Sequence, residues 1–135
     1  GLLWKTGTFS ALLLSDRLAV NAALARKLKL PQPSPGATQL PRTDRPQRVG
    51  VMGQPAFLTA YGRFESSDPV HRGVFLLRQA LCQDVPPPDA SVNTTLPPVT
   101  DFKTTRDRFT TATIDGNCAG CHRRINPLGF SFENF

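Results

Sequence analysis

The strongest periodic signal runs from residue 8 to residue 30, where Leu14, Leu18, Ala22, Ala25 and Leu28 recur at spacings of three and four. Such a stripe predicts one amphipathic helix with a single apolar face. Ser15-Asp16 offers capping chemistry for its N-terminal end, Arg26, Lys27 and Lys29 suit its C-terminal end, and Pro31 stops it. Prolines at 31, 33, 35, 41 and 46 then forbid a helix or a central strand, so residues 31–48 read as an extended linker or a surface strap. A second short helix is expected from Pro55 to Tyr61, because proline suits a first turn and Ala56, Phe57, Leu58 and Ala60 follow. Asp68-Pro69 opens a third, with Val70, Val74, Leu77 and Leu81 at helical spacing, ended by Cys82 and Pro86-Pro87-Pro88. Residues 83–103 lack periodicity over a length that is uncommon for a loop that covers nothing. A short polar helix is expected from Thr104 or Thr105 to Thr113.

These elements predict a mainly α, loop-rich fold in three stretches. Residues 1–30 form a helical segment that ends a preceding region, 31–48 a Pro-rich linker, and 49–135 a module of its own. The length of 135 residues fits one modest domain plus an appendage. Only 39% of residues are hydrophobic and 13 are proline, so few apolar anchors must hold much irregular backbone, and a cofactor with its own apolar surface would help such a chain fold.

The formal charge of +6, with 12 of 16 cations being Arg, favours an anionic partner reached by long-range steering. Nucleic acid is disfavoured, since no basic run exceeds Arg123-Arg124 and no aromatic-basic alternation occurs. No stretch approaches the ~18 apolar residues of a membrane helix. The start Gly1-Leu2-Leu3-Trp4-Lys5 is a poor signal peptide, because Lys5 interrupts the apolar run and no basic segment precedes it. Both ends look cut, and a processed product or part of a longer polypeptide is expected.

The chemistry concentrates in Cys118-Ala119-Gly120-Cys121-His122. Cys-x-x-Cys-His is the attachment signature of haem c: two thiols at this spacing reach the two vinyl groups of one porphyrin, and the adjacent imidazole falls under the iron. Cys118 and Cys121 are thus expected to hold one covalent haem, with His122 as proximal ligand and Asp115-Gly116-Asn117 turning the chain into the motif helix. Two other readings stand beside this one. A thiol oxidoreductase would want a strand before the Cys pair, and none is visible. A zinc site would recruit Cys82 and His71.

Downstream, Phe130, Phe132 and Phe135 cluster in six residues, either as core or as walls for a haem, and Pro127 is expected to bring a carbonyl behind His122 to hold its second ring nitrogen. Within the chain the sixth ligand reduces to Met52, the only Met, or His71, the only other His, with a donor from outside left open. Arg123 and Arg124 follow the ligand at once, as propionate partners, as a docking patch or as solvated charge. Cys82 has no His or second Cys beside it.

The run Arg48-Val49-Gly50-Val51-Met52-Gly53-Gln54-Pro55-Ala56-Phe57-Leu58, then Asp68-Pro69-Val70-His71-Arg72-Gly73-Val74-Phe75, Leu81-Cys82-Gln83, Thr105-Arg106-Asp107-Arg108-Phe109, the Cys118–His122 segment and Asn126-Pro127-Leu128-Gly129-Phe130 resembles the DUF1588 (planctomycete cytochrome-like) domain. Val20-Asn21-Ala22-Ala23-Leu24-Ala25 is similar to the end of a DUF1592 region. The resemblance implies a secreted, bacterial, haem-binding module in the periplasm or on the cell surface, within a larger polypeptide or assembly, without a settled activity. One departure is Asn126, where the family commonly has Asp. The expectation is a c-type cytochrome module passing single electrons to or from other haems or a redox protein, for which the basic charge favours an acidic one. The alternatives are a haem peroxidase or oxidase-associated subunit, and a scaffold stapled by haem or zinc.

Overall fold

The computed structural model of the protein describes residues 7–35, 39–41 (backbone only) and 49–134. The N-terminal residues of the signal-peptide reading, most of the linker and Phe135 lie outside them. The fold is mainly helical, as expected. The described residues divide into two compact units, one within residues 1–58 and one of residues 59–134.

In the first unit the single helix expected over 8–30 is interrupted. Helix α1 (Phe9–Leu14) and helix α2 (Ala22–Lys27) flank strand β1 (Arg17–Ala19). Capping explains the break, because the side chains that satisfy orphan helix N–H groups lie at two places rather than one. Thr8 Oγ1 accepts from Ala11 N at 3.1 Å, and Asn21 Oδ1 accepts from Leu24 N at 2.8 Å. Ser15, expected to begin a helix, instead ends α1 and accepts from Arg17 N at 3.2 Å.

The released backbone is taken up twice over. β1 pairs antiparallel with β2 (Gln39–Pro41). The Gln54 amide then donates to Arg17 O at 2.8 Å and accepts from Ala19 N at 3.0 Å. Leu18, Val20 and Ala25 are the buried apolar residues here. Gly50 is obligatory: its φ is +66°, and a Cβ would fall 2.0 Å from Leu13 O. Helix α3 (Pro55–Ala60) forms where Pro55 predicts it.

The second unit is built on one crossing. Helix α4 (Pro69–Phe75) runs on through a single π turn at Leu76–Ala80 and packs against helix α6 (Ala119–Phe130). The backbones touch at two glycines. A Cβ on Gly73 would lie 2.2 Å from Ile125 O, and one on Gly129 would lie 1.8 Å from Pro69 O. Leu77, Val85 and Ile125 form the core there, with Val70, Val74 and Leu128 against it. The long loop is fastened to this core by Val85, and Arg78 donates to the Val85 carbonyl. Past a 3-10 turn at Val99–Asp101, helix α5 (Thr105–Thr113) begins at Thr104, whose hydroxyl accepts from Asp107 N, and buries Phe109.

Two carboxylates hold the start of α4, buried Asp68 from within and half-buried Glu133 from beyond α6. Asp68 accepts from His71 N at 3.1 Å, from His71 Nδ1 at 2.8 Å and from Arg63 Nε at 2.8 Å. Glu133 accepts from Arg72 at 3.0 Å and from Ser67 Oγ at 2.5 Å. Burial draws the Arg72 guanidinium below its ordinary range, while Glu133 and Asp68 pull it back up. Among the described residues no helix is long and apolar enough to cross a membrane.

Candidate functional site

The Cys118–His122 segment sits where the chain enters α6. Asp115 is extended and Gly116 takes φ +58°, which a residue with a Cβ rarely adopts. A 3-10 turn at Gly116–Cys118 then feeds directly into the helix. In an α-helix, residues three and four apart share a face, so Cys118 neighbours both Cys121 and His122, and His122 neighbours Asn126. Both thiols are free, Cys118 half-buried and Cys121 exposed. A Cβ on Gly120 would meet nothing within 4 Å, so no contact within the protein requires glycine there.

His122 is held from behind by a directional chain of hydrogen bonds. Thr113 Oγ1, buried, donates to Phe109 O at 2.7 Å, a carbonyl that can only accept. With its proton committed, Thr113 accepts from Asn126 Nδ2 at 2.8 Å. The Asn126 carbonyl oxygen must then face His122 Nδ1, 2.9 Å away, which makes Nδ1 the protonated nitrogen and leaves the Nε2 lone pair for a ligand. Pro127 was expected to supply this acceptor through a carbonyl; the Asn126 side chain supplies it instead. Pro127 lies within α6 with its ring in the wall of the adjoining groove.

That groove, of about 260 Å³, lies between α5 and α6 and is lined by His122 together with Thr113 and Asn126. Ile114, Ala119, Pro127 and Phe130 give it apolar walls, and Arg123 stands at its margin. Phe130 is fixed by Arg106, which donates to its carbonyl at 3.0 Å and lies 5.0 Å over its ring. The donor set suits haem c: two reduced thiols and an imidazole with a free Nε2 share one helix face, beside a half-apolar concavity slightly smaller than the ~300 Å³ lower bound of ordinary ligand pockets.

The other predicted residues are placed differently. Phe132 is buried, but outside the groove wall. His71 is exposed on α4, its Nδ1 turned to Asp68, and it does not line the groove. Met52 belongs to the first unit, half-buried in the turn after Gly50. Arg124 is drawn away to Gln83 Oε1 at 2.6 Å. Cys82 is exposed at the end of the π turn with φ +52°. Among the described residues no group of three or more His, Cys, Asp or Glu side chains gathers as a metal site, so Cys82 and His71 do not join the Cys pair in the zinc arrangement.

Sequence reasoning missed Thr113 and the structural use of Asn126. Asn126 had a signal, since it lies four residues after His122 on a helix. Thr113 had none, because only the packing of α5 on α6 brings it there.

No curated protein and no solved structure matches this chain. Residues 48–135, more than half of its length, match the family described as PSCyt3, Protein of unknown function (DUF1588), and the chain belongs to that family.

Proposed function

We propose that this chain is an extracytoplasmic c-type cytochrome module, in the periplasm or at the cell surface, that carries one covalent haem and passes single electrons to or from other haems or an acidic redox protein. The observation that carries the reading is the fixed polarity behind His122, which frees Nε2 on the same helix face as two reduced thiols.

Haem c supplies a one-electron couple at its iron when bound. This chain's part is attachment and environment. Cys118 and Cys121 are the thioether donors, and His122 Nε2 is the proximal ligand. Ile114, Ala119, Pro127 and Phe130 are the apolar groups for a haem face, and Arg123 is the cation for a propionate. The sixth ligand is Met52, His71 or a donor beyond the chain; in His71 the contact of Nδ1 with Asp68 leaves Nε2 as the open ring atom. The segment Val20–Ala25 is in this reading the end of a DUF1592-type region of a longer polypeptide.

Export of the full chain into a bacterial periplasm with its haem-attachment apparatus tests this. The expected product keeps its haem through acid-acetone extraction and shows a sharp reduced α-band, whereas Cys118→Ser with Cys121→Ser releases it. A product with no Soret band overturns the proposal. Replacing Met52 and His71 separately and following spin state and potential identifies the sixth ligand.

A further inference from the structure

We infer that Thr113 and Asn126 are positioning residues that lock His122 in its Nδ1–H form and, by giving that proton a neutral acceptor, hold the potential of the liganded iron high. The inference rests on the haem reading above and goes beyond it, from which atom binds to how that atom is tuned.

The chain has only one consistent polarity. If the Asn126 amide were turned round, its oxygen would take the Thr113 proton, and Thr113 Oγ1 and Phe109 O would face each other at 2.7 Å with no hydrogen between them. The observed order removes that repulsion and runs main-chain carbonyl, hydroxyl, amide, imidazole. Thr113 is buried and, with Asn126, borders the groove beside His122.

The charge of the acceptor is what matters next. Partners behind a ligating imidazole fix its tautomer and set its basicity, with effects of about ten- to a hundredfold when they are changed. A carboxylate would draw the Nδ1 proton toward itself and give the ring anionic character, which stabilises the oxidised, more positive iron. An amide oxygen accepts the same bond without a charge. Asn126 therefore biases the couple toward the reduced state, and Thr113 keeps the amide from rotating out of that role. No formal charge from the chain lies in this series of hydrogen bonds, although Arg123 lines the same groove.

The haem-loaded full chain tests the inference, with haem attachment to the wild type read first. Asn126→Asp, nearly identical in shape, is expected to lower the midpoint potential by ~59 mV or more, a tenfold change for a one-electron couple. Thr113→Val is expected to speed solvent exchange of the His122 Nδ1 proton, followed by NMR, by about tenfold, and Thr113→Ser to restore it. A merely structural tie between α5 and α6 would move stability in these variants and leave potential and exchange alone. Haem attached, with an unchanged potential in Asn126→Asp and unchanged exchange in Thr113→Val, overturns this inference and spares the haem reading. A wild-type chain without covalent haem overturns both. If Thr113→Val does not fold, Asn126→Asp decides alone.

Discussion

Asp68 does three things with one buried carboxylate. It caps α4, orients the His71 ring and receives Arg63. Losing a cap ordinarily costs about 0.5–2 kcal/mol, and here the loss would also strand neighbouring donors. Asp68→Ala is expected to lower unfolding free energy by about 2 kcal/mol, and Asp68→Asn by about half of that, since an amide oxygen still caps the helix. Urea titrations of both variants measure the difference, and equal losses would show that the charge rather than the cap is what counts. The cap is also legible in the sequence, because Asp-Pro before an apolar run has few other readings. Asn126 shows the limit. Its spacing from His122 was visible, but its partner Thr113 comes from another helix and has no local mark.

At the scale of elements, the α4–α6 crossing depends on the absence of two side chains. Gly73 and Gly129 each face the backbone of the opposing helix at distances no Cβ survives. Gly129→Ala must push the helices apart and is expected to cost about 1–3 kcal/mol, with damage to the groove that α6 lines. Gly120→Ala is the control. Its Cβ meets open space, so it should be neutral or stabilising by up to about 1 kcal/mol through helix propensity. Thermal melts of the two variants separate the cases, and equal melting temperatures would refute the backbone contact.

Helical spacing revealed α4 and the threonines at 104 and 105 revealed α5, whereas α6 was legible only as the helix of the Cys-x-x-Cys-His motif and not in its run through Pro127 to Phe130. Periodicity failed over residues 8–30, where the apolar spacing ran unbroken while Thr8 and Asn21 offered competing starts. The clamp from Gln54 that stabilises the intervening strand comes from more than thirty residues away. No window across 8–30 contains it.

At the scale of the whole molecule, the net charge of +6 has a consequence that needs no partner to be identified. A charged reactant approaching a cationic protein is steered by a field that salt screens, with a Debye length of about 10 Å at 0.1 M and about 3 Å at 1 M. Residues 59–134 carry eight cations and eight anions, so the positive field at the groove is the local one of Arg123, which lines it, and Arg106, over Phe130. The reduced haem-loaded chain should thus be oxidised fast by an anionic reagent such as ferricyanide, and the rate should fall several-fold between 0.01 M and 1 M salt on the scale of that screening. A cationic cobalt or ruthenium complex should show the opposite slope, because salt removes a repulsion. Stopped-flow rates with both reagents over one salt series make the comparison internal to the protein. Parallel slopes would mean that the exposed haem edge feels no net positive field, and an acidic partner would then lose its electrostatic rationale. Opposite slopes would place the electron's exit within reach of Arg123 and Arg106, at the mouth of the groove beside His122.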